Sequence, residues 1–229
     1  MLVDYALEQG VATLRLNHGK VNALSHAVLA ELNQALDRAE QDQAVVILAG
    51  QQGIFSGGYD LKEMQKSPQA AMELVAVGSR LARRLAAFPL PVIAACEGHA
   101  IAKGAFLLLS VDYRIGAAGP FRLGLNEVAI GMTMHHAGVE MARERLLAPF
   151  FHRAVVCAEM FSPEMACQAG FLDEVQPAES VMQRADEVAK AMQQLNLKAH
   201  AQTKLKARAA YLARLDACIE QDLKHFDVI

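Results

Sequence analysis

Short apolar runs along the first half of the chain predict a series of β-strands. The second half of residues 11–17 alternates apolar and polar side chains at period two, as in a strand. Residues 45–49 and 92–96 are continuous apolar runs, which is typical of strands buried on both faces. Two shorter runs, at residues 113–118 and 121–123, predict further strands.

Helical periodicity separates these strands, and the helical stretches begin at capping signals. Ser25 precedes apolar residues at helical spacing, namely Val28, Leu29, Leu32, Ala35, Leu36 and Ala39. Ser67 and Pro68 predict the start of a second helix that ends before Pro89, since proline is favoured at the first helical position. Residues 105–109 predict a shorter helix.

The pattern beyond residue 126 is mostly helical, with one more short strand. Pro149 and Ser162 predict helix starts, and Gly170 predicts a helix end. A short strand is predicted at residues 171–175, and two long helices at residues 179–195 and 200–224. No sequence repeat, low-complexity tract or linker interrupts the chain. We therefore expect a single α/β domain over residues 1–229.

The composition is that of a folded protein without a basic surface. The 229 residues carry a net charge of -3 and 53% of them are hydrophobic, which suits a domain with a buried core. A nucleic-acid partner is not expected, because no basic stripe is present. The small basic cluster of Lys204, Lys206 and Arg208 predicts only the exposed face of a helix.

The sequence carries no signal for a membrane or a secretory route. The N-terminus has no basic segment followed by an apolar one, so no signal peptide is predicted. The best apolar stretch, at residues 105–111, is too short to span a bilayer. We therefore expect a cytoplasmic protein without a membrane partner.

Cysteine and histidine spacing gives no reason to expect a metal ion. The cysteines are widely scattered, which predicts buried free thiols, at Cys96, Cys157, Cys167 and Cys218. His135 and His136 are adjacent and would point to different sides of a helix. Either could line a pocket, although packing or loop positions are the alternative.

Two Gly-containing turns are the candidate chemical features of the chain. The first is FSGGYDLK at residues 55–62, where Gly57 and Gly58 permit crowded backbone and Asp60 predicts a helix N-cap with Glu63 as its reciprocal partner. Such a turn can direct N–H groups into a pocket, although an ordinary strand–helix connection is the alternative. The second turn spans residues 98–104.

Four collinear motifs make this sequence resemble the crotonase (enoyl-CoA hydratase/isomerase) family. The second turn lies in CEGHAIAKGA at residues 96–105, followed by DYRI at residues 112–115, and is similar to the family's NG-x-A-x-GGG and CD-x-RI patterns. FSGGYDLK is similar to the family's FSAGADLK, and NAL at residues 22–24 resembles its NAL motif. LGLNE at residues 123–127 is similar to the version in Δ3,Δ2-enoyl-CoA isomerases.

The resemblance implies a spiral of ββα units over about residues 1–175, with C-terminal helices over residues 176–229 that contribute to a homotrimer or a dimer of trimers. It implies an acyl-CoA substrate and no cofactor other than the coenzyme A of that substrate. The N–H groups of Tyr59 and Lys103 are expected to bind the thioester oxygen, although Lys103 stands where the family has glycine. Substrate contacts are expected at Ala23, Leu24, Gly57, Gly58, Asp60, Leu61, Lys62, Gly104 and Phe106, with Lys62 either near a CoA phosphate or facing water.

Two positions decide which reaction the resemblance implies. Hydratases of the family use two glutamates, and this chain has Phe106 at the first position and Glu127 at the second. A single carboxylate suffices to move a proton between C2 and C4 of a 3-enoyl-CoA, so isomerisation is expected, with Glu127 as the acid/base. Met132 and Met134 either border an adaptable acyl pocket or belong to the core.

Other outcomes remain open from the sequence. Glu127 could instead be an exposed carboxylate at a helix start. The chain could carry out weak hydration, decarboxylation or thioester hydrolysis. It could also be an acyl-CoA-binding protein that has lost activity, which Phe106 and Lys103 favour, or a scaffold without CoA affinity.

Overall fold

Two β-sheets form the framework of the protein. A computed structural model describes residues 1–224. The strands, in chain order, are β1 (Val3–Glu8), β2 (Val11–Leu16), β3 (Val45–Ala49), β4 (Gly53–Ser56), β5 (Val92–Cys96), β6 (Gly98–Ile101), β7 (Tyr113–Ala117), β8 (Leu123–Gly124), β9 (Met160–Phe161) and β10 (Glu174–Gln176).

Helices follow most of these strands and fill the second half of the chain. They are α1 (His26–Gln41), α2 (Leu61–Met64), α3 (Pro68–Ala86), α4 (Lys103–Leu109), α5 (His136–Arg145), α6 (Ala148–Val155), α7 (Pro163–Ala169), α8 (Val181–Gln193), α9 (Leu197–Ala207) and α10 (Ala209–Lys224). Two single-turn 3₁₀ helices lie at Val128–Ile130 and Ala178–Ser180.

The strand order confirms the expected spiral of ββα units. The large sheet has the order β1-β2-β3-β5-β7-β10 and the small sheet β4-β6-β8-β9. Three times, a strand of the large sheet is followed by a strand of the small sheet and then by helix. These units are β3–β4 with α2 and α3, β5–β6 with α4, and β7–β8 with α5. Because β4, β6 and β8 pair in parallel, the segments that follow them leave the same edge of the small sheet.

The strongest local signals of the sequence are confirmed. The apolar runs at residues 45–49 and 92–96 form β3 and β5 without change, and every residue of both is buried. The Ser25 hydroxyl accepts a hydrogen bond from Val28 N at 3.2 Å, and the Ser67 hydroxyl one from Ala70 N at 3.0 Å. Both helices therefore start where the capping signals placed them.

Some short strands were not predicted. β1 is a half-exposed edge strand whose sequence alternates weakly. β4 and β6 lie where turns were expected, in part because each is four residues long and begins with glycine. The predicted helix over residues 200–224 is two helices, which meet at Arg208. Tertiary pairing, rather than local pattern, determines these elements.

The predicted exposure of the basic cluster is confirmed for Lys206 and wrong for Lys204. Lys204 is buried, and its ammonium donates to the carbonyls of Phe88 and Leu90 at 2.9 and 3.0 Å and to Asp112 Oδ2 at 2.5 Å. Arg208 pairs with the same carboxylate at 3.0 Å, whereas Lys206 is exposed. The ammonium is tolerated in the interior because a carboxylate and two carbonyls surround it.

The cysteine prediction holds only in part. All four are free, but only Cys96 is buried, while Cys157 is exposed and the other two are half-buried.

Within residues 1–224, no group of three or more metal-binding side chains comes together. No helix in that part of the chain is long and apolar enough to cross a membrane.

Candidate active site

The first turn is held open by a bridge to the segment before α1. Leu24 N donates to Gly58 O at 2.8 Å, and Asp60 N donates to Leu24 O at 3.1 Å, so that Leu24 and Tyr59 form a parallel bridge. In this pattern the peptide N–H of Tyr59 takes no part in the bridge and points away from Leu24. The N–H predicted as a thioester donor is thus available to a ligand.

The second turn ends at the N-terminus of α4. Ala102 N donates to Gly124 O at 2.9 Å, and the next residue, Lys103, is the first of the helix. The first N–H groups of a helix have no partner within it, so Lys103 N–H is also available. Lys103 is helical although it stands where the family has glycine, and the unfavourable positive φ, 51°, lies at Ala102 before it.

The two turns are in direct contact, and Gly58 makes this possible. Its φ is 99°, and a Cβ at this position would lie 3.1 Å from the Ala102 Cβ, 3.2 Å from Ile101 O and 3.5 Å from Lys103 N. The absence of a side chain therefore lets the first turn approach the start of α4. The two predicted donors are brought to neighbouring positions by this contact.

A cavity of about 130 Å³ lies against both turns. It is lined by Gly57, Tyr59, Leu61, Met64, Val75, Ala102, Asn126, Glu127, Ile130, Met132 and His135. A second hollow of about 480 Å³ shares Leu61, Met64, Ile130 and Met132 with the first. The shared residues are all apolar, so the cavity continues into a region suited to a hydrocarbon chain.

Glu127 is the acidic group on the cavity wall. It is 7% exposed, which excludes the alternative of an exposed carboxylate at a helix start. Its Oε2 has no hydrogen-bond partner within residues 1–224. Burial raises the pKa of Glu127 from 4.5 to about 7, so the group can both accept and return a proton near neutrality.

The sequence interpretation considered only the backbone N–H of Lys103, but the side chain of Lys103 also has an unusual environment. The side chain is fully buried, and its Nζ has no hydrogen-bond partner among the described residues. Nζ lies 6.0 Å from the centroid of the Tyr59 ring. Burial lowers the pKa of Lys103 from 10.5 to about 7, and the attraction of Glu127 partly opposes this shift. The sequence signal for this buried side chain was a lysine within an apolar segment.

His135 lines the cavity, and Phe106 supports it from behind. Burial lowers the pKa of His135 to about 3, so the ring is neutral at physiological pH. Phe106 is fully buried and packs edge-on against the His135 ring, with the centroids 5.5 Å apart. Phe106 was predicted as a substrate contact, but it is not among the lining residues of the cavity.

Comparison with known proteins agrees with this geometry. The family model described as enoyl-CoA hydratase/isomerase matches residues 6–229. The chain belongs to the enoyl-CoA hydratase/isomerase family.

Solved structures of this family have closely similar folds. A family member from Pseudomonas syringae is 60% identical, with a TM-score of 0.97 over 98% of this chain and 97% of that one. The apo structure of an enoyl-CoA isomerase from Mycobacterium tuberculosis is 40% identical, with a TM-score of 0.94 over 98% of both chains.

Relatives named for hydration are similar as well. A probable enoyl-CoA hydratase from Bacillus subtilis is 36% identical over 142 residues, which are 60% of this chain. The match spans 55% of the Bacillus protein, little more than half its length. Names in the family therefore leave the choice between isomerisation and hydration open.

The remaining residues predicted to bind substrate cluster around the first turn. Leu61 is 54% exposed and lines the cavity, and Lys62 is exposed on the first turn of α2. Asp60 caps α2 by accepting from Lys62 N at 2.9 Å. The predicted reciprocal partner, Glu63, instead accepts from His26 N at 3.0 Å, so that part of the capping prediction is wrong.

The other residues predicted to contact substrate lie beside or beneath the two turns. Ala23 is half-buried and its carbonyl lies 2.8 Å from the His18 Nδ1, while Leu24 is buried beneath the turn. Gly104 presses against Ser56, because a Cβ there would lie 2.4 Å from Ser56 O. These residues shape the turns around the predicted thioester site. Met132 and Met134 both pack against the core, and Met132 also lines the cavity.

Proposed function

We propose that this family member moves the double bond of a 3-enoyl-CoA to the 2-enoyl position. The observation that carries the proposal is that Glu127 is the only carboxylate among the described residues that line the cavity. The first of the two glutamate positions expected for a hydratase is occupied by Phe106, which holds no water and moves no proton. A single shuttling carboxylate matches the needs of a proton transfer within one substrate.

In this mechanism the thioester oxygen accepts hydrogen bonds from the N–H groups of Tyr59 and Lys103. Removal of a C2 proton by Glu127 places negative charge on that oxygen, and each fixed donor stabilises it by roughly 3 kcal/mol. The protonated Glu127 then returns the proton to C4, and the double bond becomes conjugated with the thioester. A pKa of about 7 suits both steps, because neither form of the carboxyl is strongly favoured.

The apolar surroundings support the same reaction. Leu61, Met64, Ile130 and Met132 connect the cavity to the larger hollow, which has room for the rest of an acyl chain. Exclusion of water protects the carbanion-like intermediate from premature protonation and strengthens the hydrogen bonds to its oxygen.

Water addition is the second candidate, and one feature of the cavity favours it. Asn126 Oδ1 and His135 Nε2 are buried without hydrogen-bond partners among the described residues and belong to the cavity wall. Two unpaired polar atoms of this kind could position a water molecule. A neutral His135 would then replace the glutamate that is missing at the position of Phe106.

Purified protein incubated with panels of 3-enoyl-CoA and 2-enoyl-CoA substrates separates the candidates. Conjugation is followed by ultraviolet absorbance, and hydration by chromatographic detection of 3-hydroxyacyl-CoA. We expect double-bond migration with at most slow hydration. A 3-hydroxyacyl product formed as fast as the isomer would contradict the proposal. Binding of CoA without turnover of either panel would instead identify an inactive binding protein.

A further inference from the structure

The side chain of Tyr59 spans the space between the first turn and α3. Its hydroxyl donates to the carbonyl of Val75 on α3 at 3.2 Å. The tip of the ring lies against Gly78, since a Cβ on that glycine would be 2.1 Å from the Tyr59 hydroxyl oxygen and 2.7 Å from Cε1 and Cζ of the ring. Helix α3 therefore accommodates the ring because it carries no side chain at position 78.

This contact makes the ring a fixed part of the cavity wall. Tyr59 and Val75 both line the cavity of about 130 Å³, together with Glu127. The base of the side chain is held by the bridge between Tyr59 and Leu24, and its tip by the hydrogen bond to α3. A ring that is held at both ends within a close-packed interior cannot move aside easily. The cavity is therefore closed towards α3.

The cavity is open between α2 and the 3₁₀ helix Val128–Ile130. Leu61 and Ile130 line both the cavity and the larger hollow, and they are 54% and 52% exposed. A hydrocarbon chain in this passage would remove apolar side chains from water, which is favourable. An acyl chain therefore has an apolar route out of the cavity that does not cross the Tyr59 ring.

The position of the ring relative to the thioester decides which acyl groups fit. The N–H of Tyr59 is one of the two proposed donors to the thioester oxygen, and only Cα and Cβ separate this N–H from the ring. The ring therefore borders the first carbons of the acyl group rather than its far end. A straight chain can turn into the apolar passage, whereas a second branch at C2 needs space that the ring fills. Extra carbon atoms in a well-packed site are unfavourable.

We propose that the ring of Tyr59 selects acyl groups that are unbranched next to the thioester and excludes those that carry a branch at C2. Tyr59 then contributes twice, through its N–H to the thioester oxygen and through its ring to the choice of substrate. The substrate class is that of straight-chain acyl-CoA thioesters. This inference rests on the proposed function, because that function places the thioester at the N–H groups of Tyr59 and Lys103.

Hexanoyl-CoA and 2-ethylbutyryl-CoA test the inference, because these two thioesters are isomers that differ in branching at C2. Calorimetric titration measures both dissociation constants without catalytic turnover. We expect the parent to bind hexanoyl-CoA at least about tenfold more tightly, and Tyr59→Ala to bind the two within about twofold, since a misplaced methylene group in an apolar pocket costs roughly tenfold or more. Equal binding of both by the parent would overturn the inference and leave the acyl-CoA function intact. Binding of neither would overturn the proposed function, and the inference with it.

Two further variants separate the ring from other effects of the substitution. Tyr59→Phe keeps the ring and removes only the hydrogen bond to Val75, so the ratio of the two dissociation constants should stay at the parent value. Tyr59→Leu removes the ring but fills more space than alanine, so it serves where Tyr59→Ala does not fold, and its ratio should fall towards one. A parent-like ratio in folded Tyr59→Leu would contradict the inference, as would loss of the preference in Tyr59→Phe.

Discussion

The ring of Phe106 packs edge-on against the imidazole of His135, at a centroid distance of 5.5 Å and an interplanar angle of 77°. A hypothetical Cβ on Gly138 would lie 2.9 Å from the end of the Phe106 ring and 2.7 Å from His135 Cε1, so the two rings meet over the first turn of α5. The Phe106 side chain therefore does not reach the cavity itself. It fixes the neutral histidine that forms part of the wall, and it leaves Glu127 as the only carboxylate there within the described residues.

Glu127→Gln should reduce isomerisation by roughly 10² to 10⁴-fold, because the amide cannot accept the C2 proton. The shape of the side chain is retained, so the affinity for CoA should remain near the parent value. Steady-state kinetics with a 3-enoyl-CoA and calorimetric titration with CoA would measure the two effects. Turnover at the parent rate would remove Glu127 from the mechanism.

The pH dependence of activity should follow the ionisation of Glu127. Because the carboxylate is the reactive form and the pKa is about 7, kcat/KM should fall by nearly tenfold per pH unit well below pH 7. Measurement of initial rates between pH 5 and 9 would test this. A flat profile across this range would contradict the assignment.

The stability of the fold should change with pH in the direction opposite to that of activity. The folded protein holds the Glu127 proton up to about pH 7, whereas the unfolded chain loses it near 4.5. The stabilisation by the raised pKa is complete below pH 4.5 and is lost as pH rises towards 7. Relative to Glu127→Gln, the free energy of unfolding of the parent should therefore decrease over this window. Urea denaturation of both proteins at several pH values provides the comparison.

Gly58→Ala should impair catalysis more than it destabilises the fold. The positive φ alone costs about 1 kcal/mol for alanine, and the new methyl group would crowd the Ala102 Cβ at 3.1 Å and the Ile101 carbonyl at 3.2 Å, directly before the Lys103 donor. Displacement of a donor by about 1 Å can lower activity roughly 10²-fold. Gly53→Ala is a matched control, since its φ is 84° but nothing lies within 4 Å of the added Cβ. Similar loss of activity in both variants would exclude the proposed contact as its cause.

Asp222→Ala should loosen the helix start next to His135. The Asp222 carboxylate accepts from His136 N at 2.7 Å and from Ala137 N at 2.9 Å, and thereby caps α5 from α10. Loss of such a cap costs about 1–2 kcal/mol. Asp216→Ala on the same helix is the control, because Asp216 makes a half-exposed pair with Arg83 that contributes at most about 1 kcal/mol. Thermal unfolding of the two variants would compare their losses of stability, and an equal loss in both would contradict a special role for Asp222.

Much of the framework could be predicted because its signals are local. Ser25 and Ser67 cap their helices within three residues, and the apolar runs of β3 and β5 are long enough to indicate strands without further context. Strands β4 and β6 lack such signals, since each exists through pairing with a segment far away in the chain. A short strand that begins with glycine resembles a turn until its partner strand is known.

The chemistry of the candidate site divides in the same way. The sequence by itself determined the family, the two turns that present Tyr59 and Lys103, and the single glutamate at position 127, because residue identity at collinear positions is sufficient for these. Only the tertiary structure decided that Phe106 lies behind His135, and that the side chains of Lys204, Lys103 and Glu127 are buried. Burial and ionisation depend on which distant atoms displace water around a group, and no local pattern in the chain records that.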